Sequence, residues 1–199
     1  MAASRRLTLF GALLALASVP AMAQIRFSDG FTFLKAVRDR DGDTVTRILE
    51  DPSTTAVNAR DSGTGEAGLH IVVRRRDGNW LTFLLGKGAR PDIQAADGST
   101  PLLLAAQIGW VEGAEQLLRA RADVNKGNNS GETPLTLAVQ NRDVPMVRRL
   151  LAAGADPNQT DTAAGMSALD YARRDSRAAA IVRLLEARRD ESPAVGPTR

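Results

Sequence analysis

DGSTPLLLAA at residues 97–106 returns as SGETPLTLAV at residues 130–139, so one pattern is written twice, 33 residues apart. Each half of the pattern has a physical reading. Gly98 permits the positive φ of a tight turn. Thr100 is an N-cap whose hydroxyl accepts from free backbone amides, and Pro101 suits the first helical position, where no amide is needed. Leu102, Leu104, Ala105 and Ala106 predict a short, closely packed helix that Gly109 ends. Val111, Ala114, Leu117 and Leu118 then line one face of a second helix. Asp123-Val124-Asn125 starts an extended connection to the next unit.

Working outward, the same phase recurs. GEAGLHIVV opens at Gly65 and GMSALDYAR at Gly165, so the glycines step by 33, 33 and 34 residues. An earlier copy, GFTFLKAV, opens at Gly30, 35 residues before Gly65. Apolar pairs close each unit: Ile48-Leu49, Leu84-Leu85, Leu117-Leu118, Leu150-Leu151 and Leu184-Leu185. A turn follows, as Gly88-Ala89, Arg121 to Asn125, and Gly154 to Asn158, with a remnant at Val57-Asn58-Ala59. Several anchors in one phase are the mark of a stacked repeat. A lone helix pair cannot bury both its sides, so stacked units share one continuous core.

These residues resemble the ankyrin repeat. The likeness covers about residues 27–188, and DGSTPLLLAA and SGETPLTLAV follow that family's pattern closely. It implies an all-α repeat solenoid: five stacked helix-turn-helix units, starting near 29, 64, 97, 130 and 164, joined by β-hairpin-like fingers. Three units depart from the pattern. Ala67-Gly68 and Ser167-Ala168 stand where the family has Thr-Pro. The first unit has Phe33 for proline and an extended inter-helix turn, RDRDGD, from Arg38 to Asp43. In the last helix Ala180, Ile181, Leu184 and Leu185 are expected to face inward. Arg177, Arg183, Arg188 and Arg189 are expected to solvate the open end.

The chain's 199 residues divide into three parts on this reading. Arg5 and Arg6 precede the uncharged run Leu7–Val19, and Ala21-Met22-Ala23 offers small residues for a signal peptidase, so residues 1–23 read as an export signal cleaved after Ala23. The apolar run would reach only about 20 Å as a helix, against about 30 Å of bilayer hydrocarbon. Residues 24–189 form the repeat domain, and residues 190–199 read as a disordered tail. Cleavage would remove two basic and no acidic side chains, lowering the formal charge from +3 to +1. That is too small an excess for a nucleic-acid partner.

Catalytic machinery is sparse. One histidine and no cysteine leave no thiolate metal site and no Ser-His or Cys-His nucleophile pair. The resemblance assigns His70 to hydrogen bonds that hold its turn. The alternating Asp39, Asp41 and Asp43 lack the later bidentate glutamate of a calcium loop and are interleaved with Arg38 and Arg40. No cofactor or metal is expected.

The resemblance places a partner on the hairpin tips and the exposed ends of the first helices. By position these are Arg74, Arg75, Arg76, Asp97, Ser99, Gln107, Ile108, Trp110, Glu132, Gln140, Asn141 and Arg174. The run Arg74–Arg76 is either a solvated turn or an anchor for an acidic partner. Trp80 falls at an apolar helix position and predicts core packing. Trp110 is either a partly exposed aromatic of the kind favoured at binding hot spots or a side chain packed on a neighbouring turn. The expected function is a non-catalytic protein-binding module, exported to the periplasm and monomeric, with no membrane contact after cleavage. The alternative is a self-assembling or membrane-tethered scaffold; an enzyme ranks below both.

Overall fold

The computed structural model describes residues 28–191, with side chains through residue 188. Residues 1–23, read above as an export signal, and residues 192–199 of the expected tail lie outside the described residues. Ten α-helices follow in order: α1 (Asp29–Asp39), α2 (Gly42–Leu49), α3 (Gly68–Arg74), α4 (Gly78–Gly86), α5 (Pro101–Gln107), α6 (Val111–Arg119), α7 (Pro134–Gln140), α8 (Val144–Ala152), α9 (Ala168–Arg174) and α10 (Ala179–Glu191). A short 3-10 turn spans Ala56–Asn58. Among the described residues there is no strand, only the isolated antiparallel bridges Arg60–Ala67 and Thr160–Ser167 in the connecting fingers.

Consecutive helices pair, and the pairs stack. The first helices α1, α3, α5, α7 and α9 pack side by side as an inner layer, and α4, α6, α8 and α10 as an outer one. α2 packs chiefly on α1 and the 3-10 turn. The core runs unbroken between the layers through Phe33, Leu69, Leu81, Leu102, Leu117, Leu135, Leu150, Ile181 and Leu185, each at most 1% exposed. This is the architecture of an all-α repeat solenoid.

Helix starts follow the chemistry of their N-caps. Thr100 Oγ1 accepts from the Leu103 amide and Thr133 Oγ1 from the Thr136 amide, each at 3.2 Å, with Pro101 and Pro134 next in line. The two departures from this pattern are repaired by different groups. Ser167 and Asp170 form a reciprocal capping box, at 3.2 and 3.0 Å. Ala67 has no cap oxygen of its own, so His70 Nδ1 turns back to accept from the Ala67 amide at 3.1 Å. Phe33 and Gly68 occupy equivalent places in adjacent pairs. A Cβ at Gly68 would lie 3.1 Å from Phe33 Cε1, so the ring fills the volume that the missing side chain leaves.

Four expectations are corrected. RDRDGD is not an extended turn: α1 runs to Asp39, α2 begins at Gly42, and only Arg40 and Asp41 lie between them. The extra residues lengthen α1 to 11 residues, against seven in α3, α5, α7 and α9. Trp80 packs against the core but is only half-buried, because its ring also lines a cleft between α2 and α4 with Phe83. In α10 the buried face is Ile181 and Leu185, with Ala178 buried just before the helix, whereas Ala180 is exposed and Leu184 half-buried, so that helix sits one residue out of phase with its predecessors. Its last two residues, 190 and 191, are helical although they fall in the stretch read as tail.

Candidate binding surface

Two rows of groups run across the units. The first is at the fingers. Thr64 O accepts from Ala96 N at 2.9 Å, Asp97 O from Asn129 N at 3.0 Å and Ser130 O from Thr162 N at 2.9 Å. Each rung repeats the last one displaced by 33 residues, so the backbone itself sets the spacing of the tips. The side chains of Thr64, Asp97 and Ser130 are exposed; Ser99 and Glu132 are half-buried. Asp97 is partly committed, since its carboxylate accepts from the Ser99 amide and hydroxyl, both at 2.9 Å. Glu132 accepts from Asn128 Nδ2 at 2.8 Å.

The second row lies at the ends of the first helices, and here the predicted residues divide. Arg75 is not a free anchor. Its Nη1 donates to Val37 O at 2.6 Å and Arg38 O at 3.1 Å, and its guanidinium lies over the Trp80 ring with the centroid 5.9 Å away. Burial is the main cause that depresses its pKa, with the nearby charge of Arg40 second. Arg76 adopts a left-handed φ of +54° and donates to Ile108 O. Asn141 Nδ2 donates to Gln107 O at 3.0 Å. These three side chains tie neighbouring turns together, although Arg76 and Asn141 remain exposed. Ile108 is half-buried. Trp110 is 7% exposed, which settles it as a packed side chain: its ring folds over Gly113 in the first turn of α6.

What protrudes is a simpler row. Arg74, Gln107, Gln140 and Arg174 are the last residues of α3, α5, α7 and α9, and all four are exposed. Arg74 pairs with Glu66, and Arg174 Nη1 reaches Met166 Sδ at 2.8 Å. The side-chain amides of Gln107 and Gln140 make no hydrogen bond among the described residues, leaving both donors and acceptor available.

Sequence reasoning missed a third set. Arg40, Arg76, Gly109 and Arg142 occupy the positive-φ position after successive first helices. Arg142 Nη1 crosses to Asp175 Oδ2 at 2.9 Å, and Arg40 Nε lies 3.7 Å from Asp77 Oδ2. The Arg177 amide, then Arg142, hold Asp175 down to about 2. Gly109 was the available signal, because a glycine in one unit marks the backbone demand that arginine meets in the others.

His70 joins the second and third units. It is 1% exposed. Because Ala67 N–H can only donate and Ser99 O, 2.9 Å from Nε2, can only accept, the ring is the neutral tautomer with its proton on Nε2. Burial, the largest cause, lowers its pKa; Ser99 O and the charges of Glu66 and Asp97 oppose that, and Arg74 reinforces it. A second proton on Nδ1 would face the Ala67 N–H. The native state therefore disfavours protonation relative to the unfolded chain. The stabilisation is complete above the unfolded histidine pKa of about 6.5 and is lost progressively as pH falls below it. The denaturant midpoint is expected to fall between pH 7.5 and 5, and His70→Gln to flatten that dependence. A wild-type midpoint that does not change with pH would refute the assignment.

Among the described residues no group of three or more His, Asp or Glu side chains is placed to hold a metal ion, and no helix is long and apolar enough to cross a membrane. The family model for ankyrin repeats, in three copies, matches residues 69–161. The 2-5A-dependent ribonuclease of Homo sapiens is 33% identical over 84 residues, which is 42% of this chain and 11% of that protein. The chain thus matches a small part of that relative's length.

Proposed function

We propose, from the premise that this chain belongs to the ankyrin-repeat family through residues 69–161, that it is an exported, non-catalytic module that holds one protein partner across its inner surface. Ankyrin repeats are protein-interaction elements, and the finer reading rests on this chain's own side chains. The observation that carries it is the row Arg74, Gln107, Gln140 and Arg174. Four successive first helices end in exposed long polar side chains, cationic at the ends and neutral in the middle. A polypeptide lying across the units can meet the two glutamine amides with its backbone and the two arginines with carboxylates. Asp97 and Ser99 border that path at one finger. Arg75 and Trp110 contribute rigidity rather than contact.

The test is capture of the partner from the exported fraction of the native cells, followed by titration with variants. Gln107→Ala with Gln140→Ala is expected to weaken binding by about 1–2 kcal/mol, and Arg74→Glu with Arg174→Glu by more. Unchanged affinity in both double variants would remove this surface from consideration.

Export rests on the leader's order of basic, apolar and small residues, and the proposed site of action is the periplasm. Cell fractionation and mass spectrometry of the mature N-terminus check it, with Gln24 expected as the first residue. A full-length chain retained in the cytoplasm would count against it.

A further inference from the structure

The cleft between α2 and α4 has a volume of about 410 Å³, and a glycine opens it. Gly42 begins α2, where α6 and α8 begin with Val111 and Val144, and a Cβ added at Gly42 would meet nothing within 4 Å. α4 also begins with a glycine, Gly78, but there Gln116 of α6 fills the space, its Nε2 3.1 Å from the missing Cβ. One wall of the cleft is aromatic. Trp80 and Phe83 are half-buried, with ring centroids 5.9 Å apart and planes at 78°. The other outer helices, α2, α6, α8 and α10, contain no aromatic residue. Asp43, Thr46 and Asn79 supply the polar lining. Asp43 and Asn79 are exposed and Thr46 is half-buried, and none of these three side chains makes a hydrogen bond or ion pair among the described residues.

This lining selects a ligand by what it rejects. Asp43 is the one ionised group among the lining residues, so an anion is repelled. A cation would gain that carboxylate, but both rings already hold one: Arg75 Cζ lies 5.9 Å from the Trp80 centroid and Lys87 Nζ 5.8 Å from the Phe83 centroid. An incoming cation would therefore meet two like charges for one opposite charge. A proline-rich peptide would cover the rings and leave Asp43, Thr46 and Asn79 desolvated without partners. A neutral sugar satisfies both halves. The C–H face of a pyranose lies on an aromatic ring, and its hydroxyls donate to the Asp43 carboxylate and both donate to and accept from Thr46 and Asn79.

We propose that the α2–α4 cleft is a carbohydrate site, which takes a neutral pyranose with equatorial hydroxyls, one ring of a β-linked chain. Equatorial substituents leave the flat C–H face that Trp80 requires. The site shares no residue with Gln107 and Gln140 on α5 and α7, so occupation of the cleft leaves the proposed partner surface open.

The experiment is isothermal titration calorimetry of the purified protein with cellotetraose and with chitotetraose, which share the equatorial β-linked ring and differ in the acetamido group. At least one is expected to bind. Trp80→Ala is expected to weaken binding roughly tenfold, the scale of a hot-spot residue. Asp43→Asn is expected to weaken it roughly fivefold, because a charge-assisted hydrogen bond becomes a neutral one. Trp80 also packs on the core, so Gly42→Val supplies an independent arm. It gives α2 the side chain that begins α6 and α8, and it should weaken binding roughly tenfold with the thermal midpoint unchanged or raised. Gln107→Ala with Gln140→Ala should bind the sugar as the wild type does, which separates this site from the first-helix surface. Binding of neither tetrasaccharide, or binding that Gly42→Val and Asp43→Asn leave intact, would overturn the proposal. So would tetramethylammonium or octaproline binding more tightly than either sugar.

Discussion

Gly98→Ala is expected to destabilise the chain by about 3 kcal/mol, a large part of the roughly 5–15 kcal/mol that holds a typical domain together. Two independent effects add. Gly98 has a φ of +80°, a left-handed conformation that costs an L-residue about 1–2 kcal/mol. The new Cβ would also lie 2.6 Å from Asn129 N and 2.4 Å from Asn129 Oδ1, so the next finger must move. That finger is fastened here by two bonds, Asn129 N to Asp97 O at 3.0 Å and Asn129 Nδ2 to Ala96 O at 3.1 Å, each contributing about 1 kcal/mol. Gly88→Ala separates the terms. Its φ is +87° and nothing lies within 4 Å of the added carbon, so it should show the backbone cost alone. Urea midpoints of the two variants provide the comparison. Equal losses would mean that the finger yields freely and that the rungs add little.

The stacking was legible because it depends on residues whose backbone behaviour is local. A glycine, a hydroxyl and a proline at fixed offsets specify a turn, a cap and a helix start wherever they occur, and Gly98-Ser99-Thr100-Pro101 folds as its chemistry dictates. Departures from the pattern were visible, but their remedies were not. Gly68 makes sense only beside Phe33, which lies 35 residues earlier in the chain. His70 caps α3 only because Ala67 has no side-chain oxygen. The binding surface was legible in position and poorly legible in availability. Arg74, Arg75 and Arg76 are consecutive, yet they protrude, clamp α1 and bond Ile108 O respectively. A helix turns about 100° per residue, so a charge run cannot act as one patch at a helix end. For Trp110 the sequence left exposure and packing both open, because its register is a cap position that Asp41, Asp77 and Asp143 fill in other units. What buries it is the glycine three residues on.

That glycine sets up the second large effect. Gly113→Ala places a methyl in a helix interior, and on propensity alone it should stabilise α6 by about 1 kcal/mol. The site reverses the sign. The added Cβ would sit 2.1 Å from Trp110 Cε3 and 2.4 Å from Cδ2 and Cζ3, well inside contact distance. The indole cannot stay, and it is 7% exposed in the continuous core, so it must turn out into water. Losing the packing of a buried tryptophan costs about 3–5 kcal/mol. The net expectation is a loss of about 2–4 kcal/mol, the difference between those two effects. In a Trp80→Phe background Trp110 is the remaining tryptophan, and its emission should shift to the red in Gly113→Ala. Trp110→Ala with Gly113→Ala should recover the helix gain relative to Trp110→Ala alone, because the clash is gone and only propensity remains. A blue, unshifted emission with unchanged stability in Gly113→Ala would show that the ring has another buried place to lie.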